Sequence, residues 1–166
     1  MYELKRISAA AIPRALEKAE RYRLLNEPAE AESICLDVLA IDAGNERALV
    51  TLVLALSDQF GERMVVAYPQ AEARVAELPT AYAREYYGAL LCERRARAHR
   101  KRGGTASGPT AHGWLLRALA GFERAIALRE PDNDDAIVRW NTCVRMLAND
   151  PGLKAAPVDT FHPLLE

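Results

Sequence analysis

The chain has 166 residues, of which 50% are hydrophobic, and its formal net charge is −1. This length allows one domain with a substantial buried core, and the apolar content argues against a globally disordered chain. The near balance of charge excludes a strong overall attraction to nucleic acid or to an anionic membrane.

Cysteine usage and hydropathy indicate the compartment. Cys35, Cys92 and Cys143 are odd in number and widely separated, which fits neither a disulfide framework nor a metal site with close ligand spacing. We expect each to be a small buried residue of a helix. Residues 1–7 contain charges and lack the apolar run of a signal peptide, and no apolar stretch reaches the roughly 18–20 residues of a membrane span. The sequence therefore predicts a cytoplasmic protein.

Residues 12–45 have the pattern of two amphipathic helices joined by a tight turn. Small or apolar residues recur at i, i+4 and i+7 along two stretches, Ala15, Ala19 and Tyr22 and then Ala31, Cys35 and Val38. The turn contains Pro28, which suits the first turn of the second helix because its missing N–H has no partner there. These residues predict a helical hairpin.

The hairpin resembles a tetratricopeptide repeat. Ala19 and Ala31 occupy the positions at which the two helices of such a repeat cross, where small side chains let the helix axes approach closely. Ala43 replaces the proline that usually ends the second helix of this family. The resemblance covers about residues 12–148 and implies an all-α fold, an α–α superhelix of about three helical hairpins followed by a capping helix.

The second hairpin is predicted over residues 46–80. Leu49, Leu52, Val53 and Leu56 form the apolar stripe of its first helix. Its second helix contains Pro69, which we expect to kink the helix or to start a new one.

The third hairpin is predicted over residues 81–133. Gly88 and Ala118 take the crossing positions, but they lie 30 residues apart in the sequence, compared with 12 for the first hairpin. The extra 18 residues form an insertion near 94–113, which we predict to be a helical extension over 94–102 and a flexible loop over 103–113. A capping helix is predicted over 134–148, which completes a single domain over residues 1–148, and an irregular tail over 149–166.

In stacked repeats of this family, the first helix of each hairpin lines a concave groove that binds extended peptides. The resemblance implies ten groove residues: Leu16, Glu20, Arg23, Val50, Leu54, Tyr82, Glu85, Ala89, Val138 and Arg145. One subclass of the family grips a C-terminal carboxylate with lysine, asparagine and arginine at these positions. The side chains here are mostly apolar or acidic, so the sequence does not predict such a clamp.

Val50 and Leu54 make the first helix of the second hairpin apolar nearly all round, and such a helix is normally covered. Three interpretations remain open. The chain's own insertion or tail covers the helix, a partner segment docks on it, or it is buried in a homodimer.

Residues 94–102 carry six full positive charges in nine positions. A solvated helix end is the simplest interpretation, because cations there interact favourably with the helix dipole. An acidic protein partner and a nucleic acid are the alternatives, although no interleaved aromatic residues offer base stacking.

Nothing in the sequence has the spacing of a catalytic, cofactor or metal site. His99, His112 and His162 have no ligand partner at i+4, and no nucleophile lies in a recognisable motif. We therefore expect a non-enzymatic adaptor or scaffold without cofactor, which binds a peptide or helix of another protein in its groove.

Overall fold

The computed structural model describes residues 2–156, and all regular structure in that range is helical. A short 3-10 turn at Ala9–Ala11 precedes seven α-helices: α1 (Ile12–Leu24), α2 (Pro28–Leu39), α3 (Glu46–Asp58), α4 (Phe60–Ala76), α5 (Ala81–Arg102), α6 (Ser107–Leu128) and α7 (Asp135–Asn149). The all-α prediction is confirmed for the described residues. None of these helices is both long and apolar enough to cross a membrane.

Local chemistry explains where several helices begin. Pro28 is the first residue of α2, as predicted, and the preceding turn passes through Asn26 at φ 60°. The side chain of Asn45 accepts a hydrogen bond from the backbone N–H of Ala48 at 3.0 Å and caps α3. Thr80 caps α5 in the same way. These caps satisfy backbone donors that the first turn of a helix leaves without partners.

Each helix packs against the next, and the odd-numbered helices also contact one another. α1 touches α3, α3 touches α5, and α5 touches α7. Within residues 2–156 the backbones of the even-numbered helices stay further apart, and these helices meet through side chains such as Tyr68 of α4 and Trp114 of α6. The odd-numbered helices therefore form a continuous row, along which side chains of four helices share one surface.

The hydrophobic core has two main parts that meet at α5. The first joins α1 to α5 and includes Leu52 and Phe60, whereas the second joins α5 to α7 and includes Phe122. Tyr87 and Trp114 pack against both parts. Burial of a leucine or phenylalanine side chain contributes roughly 1.5–3 kcal/mol, so this continuous core holds the row together.

The predicted helix crossings are correct in the first hairpin and displaced in the third. Ala19 and Ala31 are fully buried in the same cluster. A Cβ atom added to Gly88 would have only Val75 of α4 within 4 Å, at 3.9 Å from its Cγ1 atom. A Cβ added to Gly121 would instead lie 2.8 Å from the Cβ of Ala89. α5 and α6 therefore make their close approach at Ala89 and Gly121, and the prediction of Gly88 as the residue facing α6 is wrong.

The insertion is mostly helical. α5 extends to Arg102, as predicted, but α6 already begins at Ser107, so only residues 103–106 lie between the two helices. The prediction of a flexible loop over 103–113 is therefore wrong for residues 107–113. Pro109 lies in the first turn of α6, where a missing N–H has no consequence. Gly108 serves packing, because an added Cβ would lie 2.1 Å from the carbonyl oxygen of Gly152.

α4 continues through Pro69. The backbone departs from helical angles at Arg63 instead, with φ −120° and ψ 23°. The prediction that Pro69 kinks the helix or starts a new one is therefore wrong, and the distortion lies close to the one-residue connection between α3 and α4.

The chain after α7 has no helix up to residue 156, which agrees with the predicted irregular tail over that part. Leu153 is buried in the second part of the core. The remainder of the predicted tail, residues 157–166, lies outside the described residues.

Candidate binding face along the odd-numbered helices

An exposed ion pair joins α1 to α3. Arg47 donates from Nε and Nη2 to the two carboxylate oxygens of Glu20, at 2.7 and 2.8 Å. The hydrogen bond from Arg47 lowers the pKa of Glu20. Because both side chains are well exposed, the pair contributes little to stability and its main effect is to neutralise this part of the surface.

A single carboxylate joins α1, α3 and α5. Asp58 Oδ2 accepts from Arg23 Nε at 2.8 Å, and Asp58 Oδ1 accepts from Arg94 Nη1. Arg94 Nη1 also donates to Ser57 Oγ at 2.7 Å and to the carbonyl oxygen of Leu54 at 3.3 Å. Burial lowers the pKa of Arg94, and the charge of Asp58 opposes this shift. Asp58 therefore holds two arginines of different helices on one surface.

A second carboxylate joins α5 to α7. Glu93 is only 1% exposed, and its Oε1 atom accepts a hydrogen bond from Arg97 Nε at 3.0 Å, with Arg97 Nη2 at 2.9 Å in the same ion pair. Arg139 of α7 approaches the same oxygen, with Nη1 at 3.6 Å. Glu93 Oε2 has no hydrogen-bond partner among residues 2–156. Two guanidinium groups thus converge on one oxygen of a buried carboxylate.

We call the surface that carries these pairs the odd-helix face, and it is defined by seven charged residues and one aromatic residue. These are Glu20, Arg23, Arg47, Asp58, Tyr82, Arg94, Arg97 and Arg139.

Tyr82 lies at the edge of this face in the first turn of α5. Its hydroxyl group donates to Asn133 Oδ1 at 3.2 Å, and its ring stacks on Tyr86 with centroids 5.7 Å apart. Tyr86 in turn contacts Phe122 edge-on. Burial raises the pKa of both tyrosines. Tyr82 is half-buried, so its contacts fix its orientation while part of the ring stays accessible.

Two of the ten predicted groove residues are buried, and a third pairs with α6. Leu16 is buried against Val38 and Ala48. Ala89 is buried against Gly121 of α6, and Glu85 accepts from Arg124 Nε of α6 at 2.9 Å. The assignment of Leu16 and Ala89 to the groove is wrong, whereas the side chain of Glu85 remains 34% exposed. Glu85 and Ala89 share one stripe of α5 at i and i+4, and the displaced crossing turns this whole stripe towards α6.

The other seven predicted residues retain some exposure: Glu20, Arg23, Val50, Leu54 and Tyr82 are half-buried, and Val138 and Arg145 are exposed. The structure brings Glu20 and Arg23 into the ion pairs described above. Val50 packs against the first part of the core and Leu54 against the second. Contacts within the chain therefore cover much of both side chains.

The basic run is largely engaged in contacts within the protein. Arg94 binds Asp58, Arg97 binds Glu93, and Arg100 donates to both carboxylate oxygens of Asp150, at 2.6 and 2.9 Å. The guanidinium carbon of Arg95 lies 4.1 and 4.0 Å from the ring centres of Tyr68 and Trp114. The interpretation of this run as a solvated helix end is wrong for the half-buried Arg94 and Arg95. It fits the exposed Lys101 and Arg102, and Arg97 and Arg100 are exposed as well as paired.

Sequence reasoning missed the arginines that dominate the face. Arg94, Arg97 and Arg139 were not among the mapped groove positions, because the mapping followed the expected helix phase. One signal was readable: Glu93 and Arg97 stand at i and i+4, the spacing of an ion pair within a helix. The partners Asp58 and Arg139 are 35 or more positions away in the sequence, where spacing gives no information.

Among residues 2–156, no group of three or more histidine, cysteine, aspartate or glutamate side chains could hold a metal ion. Burial raises the pKa of Cys35 and Cys143 to about 12, which keeps these thiols protonated and unreactive near neutral pH. No protein-family model, curated protein or solved structure matched the chain.

Proposed function

We propose that this protein is a non-enzymatic interaction module, a tetratricopeptide-like α–α superhelix that binds a peptide or helix of a partner protein on its odd-helix face. The observation that carries the proposal is the direct contact of α1 with α3, α3 with α5 and α5 with α7. Stacked helical hairpins produce such a row, and the row gives a partner segment a surface longer than any single helix offers.

The chemistry of the face suits protein recognition. Hydrogen-bonded ion pairs at Asp58 and Glu93 hold Arg23, Arg94 and Arg97 in place before any partner binds. Fixed side chains lose less conformational freedom on binding than mobile ones, which favours affinity. Tyr82 of α5 and the exposed Val138, which precedes Arg139 in α7, offer apolar surface, and a typical interface combines such anchors with a polar rim.

A capture experiment with two matched variants tests the proposal. Val138 is 60% exposed on α7, whereas Val65 is 85% exposed on α4, outside the row. We expect the wild-type protein and Val65→Glu to capture the same partner from native lysate. Val138→Glu should bind that partner about tenfold more weakly, because a buried valine contact contributes roughly 1.5 kcal/mol or more. Loss of binding in Val65→Glu alone would overturn the assignment of the face.

A homodimer through Val50 and Leu54 has less support, because both side chains already pack against the protein's own core. Sedimentation over a wide concentration range separates the two proposals. We expect a mass of one chain throughout, and a concentration-dependent dimer that Leu54→Asp abolishes without unfolding would favour the homodimer.

Binding of nucleic acid through residues 94–102 also has less support, since four of the arginines have partners within the protein. We expect no electrophoretic shift with random oligonucleotides at low salt.

A further inference from the structure

The odd-helix face carries more positive than negative charge, although the whole chain has a net charge of −1. Arg23 and Arg94 share the single carboxylate of Asp58. Arg97 and Arg139 share the single carboxylate of Glu93. Four guanidinium groups thus stand against two carboxylates, which leaves two positive charges in surplus.

Three neighbouring acidic residues do not cancel this surplus, because their carboxylates are engaged by other arginines. Each of the three is bound at 2.9 Å or less by a partner outside the two clusters, and these pairs are Glu20 with Arg47, Glu85 with Arg124 and Asp150 with Arg100. Asp135 of α7, four residues before Arg139, has no ion-pair partner within 4 Å among residues 2–156 and offsets part of the surplus. The remaining positive charge is concentrated where two arginines meet each acid.

The Glu93 cluster is the accessible one. The side chains of Arg97 and Arg139 are 48% and 38% exposed, whereas those of Arg23 and Arg94 are only 20% and 23% exposed. Arg139 is held loosely, since its nearest nitrogen is 3.6 Å from Glu93. A guanidinium group has five N–H donors, so both arginines retain donors for a carboxylate from outside. Paired N–H donors of arginine bind carboxylates in a bidentate manner.

We propose that the Glu93 cluster binds an extended acidic segment of a partner protein, whose side-chain carboxylates pair with Arg97 and Arg139. This inference rests on the proposed function. Glu93 acts as a positioning residue, because its Oε1 atom binds Arg97 by a hydrogen bond and attracts Arg139, which keeps the two guanidinium groups close to each other. The site differs from a clamp for a terminal carboxylate, since neither arginine occupies the groove positions that such a clamp uses.

An acidic peptide fits the cluster better than a nucleic acid does. The two accessible guanidinium groups of the Glu93 cluster could pair with two carboxylates, whereas binding of nucleic acid draws its affinity from many phosphate contacts, on the order of 6–10. Binding of single-stranded nucleic acid also relies on accessible aromatic rings, and Tyr82 and Tyr86 are half-buried in a stack.

Titration with a defined peptide tests the proposal. The probe is a labelled twelve-residue peptide of alternating glutamate and serine, acetylated and amidated at its ends so that no terminal carboxylate remains. Its counterpart carries glutamine in place of glutamate. We expect the glutamate peptide to bind at low salt with at least tenfold higher affinity than the glutamine peptide. Absence of binding up to about 1 mM, which corresponds to roughly −4 kcal/mol, would overturn the proposal.

Variants localise the binding. Arg139→Gln keeps the hydrogen bonds between Arg97 and Glu93, so the protein should fold, which circular dichroism checks. We expect this variant to bind the glutamate peptide about tenfold more weakly, and Arg139→Lys to recover part of the loss. Arg14→Gln removes the same charge from an exposed position on α1 and should have no effect. Equal weakening by Arg14→Gln would mean unspecific attraction, and tighter Arg139-dependent binding of a random oligonucleotide would identify a nucleic-acid site instead.

The outcomes separate this proposal from the one on which it rests. If Val138→Glu loses the captured partner and Arg139→Gln keeps it, the face is correct and the acidic specificity is wrong. If neither variant affects capture of the partner, the odd-helix face itself is the wrong surface.

Discussion

The close approach of α5 and α6 at Gly121 offers a sharp test of the packing. A Cβ atom at this position would lie 2.8 Å from the Cβ and 3.3 Å from the Cα of Ala89, both shorter than an ordinary carbon–carbon contact. Because Ala89 lies in the middle of α5, its backbone cannot yield as the end of a flexible side chain would. Gly121→Ala should therefore push the two helices apart or strain them.

A second glycine of α6 isolates this effect from helix propensity. Gly113 has no atom within 4 Å of an added Cβ, so Gly113→Ala should raise the free energy of unfolding by up to about 1 kcal/mol. Gly121→Ala gains the same propensity but adds an overpacking cost of about 1–3 kcal/mol. The free energy of unfolding of Gly121→Ala should therefore lie about 1–3 kcal/mol below that of Gly113→Ala.

Urea unfolding followed by circular dichroism measures this difference. In thermal unfolding of a chain of this size, each kcal/mol should shift the melting temperature by about 2–4 °C. Ala89→Gly should restore much of the stability that Gly121→Ala loses. A double-mutant cycle separates this recovery from the helix-propensity cost of the new glycine at position 89. Equal stabilisation by Gly113→Ala and Gly121→Ala would refute the close contact at Ala89.

Three further predictions concern charges, thiols and stacking. Asp58→Asn leaves two arginines without their carboxylate and should lower the free energy of unfolding, measured by urea unfolding, by about 1.5–3 kcal/mol. Glu20→Gln changes an exposed pair and should lower the same free energy by less than about 1 kcal/mol. Equal effects of the two substitutions would contradict the bridging role of Asp58. Burial raises the pKa of Cys35 and Cys143 to about 12, whereas an unfolded thiol titrates near 9. The unfolded chain then loses protons that the folded protein keeps, so stability should fall as the pH rises above about 9, and less steeply after both cysteines are changed to alanine. Arg95→Ala removes a cation between two aromatic rings and should lower the free energy of unfolding by about 0.5–2 kcal/mol and alter tryptophan emission. Unchanged emission and unchanged stability would contradict the stacking.

The helices were predictable from the sequence because their signals are local. Small residues at helical spacing and Pro28 at a helix start indicated the first hairpin, in which α1 begins at Ile12 and α2 at Pro28. The apolar stripe around Leu52 gave α3. Each of these signals lies within one or two turns of the helix that it specifies.

The phase of α5 was not predictable, because it depends on contacts between helices. A stripe through Gly88 and a stripe through Ala89 differ by one residue in the sequence, and both contain small side chains. The choice is made by Gly121, which admits Ala89 closely and is 32 positions away. The same phase turns Glu85 towards α6, since residues four apart on a helix face the same way.

The candidate site was the least predictable part. A run of arginines resembles a solvated surface until its partners are known, and Arg94 and Arg100 find theirs at Asp58 and Asp150, 36 and 50 positions away. Gly108 gave a misleading signal for a similar reason. Glycine is typical of loops, but Gly108 lies in α6. The position requires a glycine because the backbone of Gly152 passes too close for a side chain.

The location of the binding face can be measured most directly by nuclear magnetic resonance, with isotope-labelled protein titrated with the captured partner segment. Amide signals around Tyr82, Val138 and Arg139 should shift in proportion to the bound fraction, while those around Val65 and Val66 on α4 stay in place. Shifts confined to α2, α4 and α6 would contradict the odd-helix face as the site of recognition.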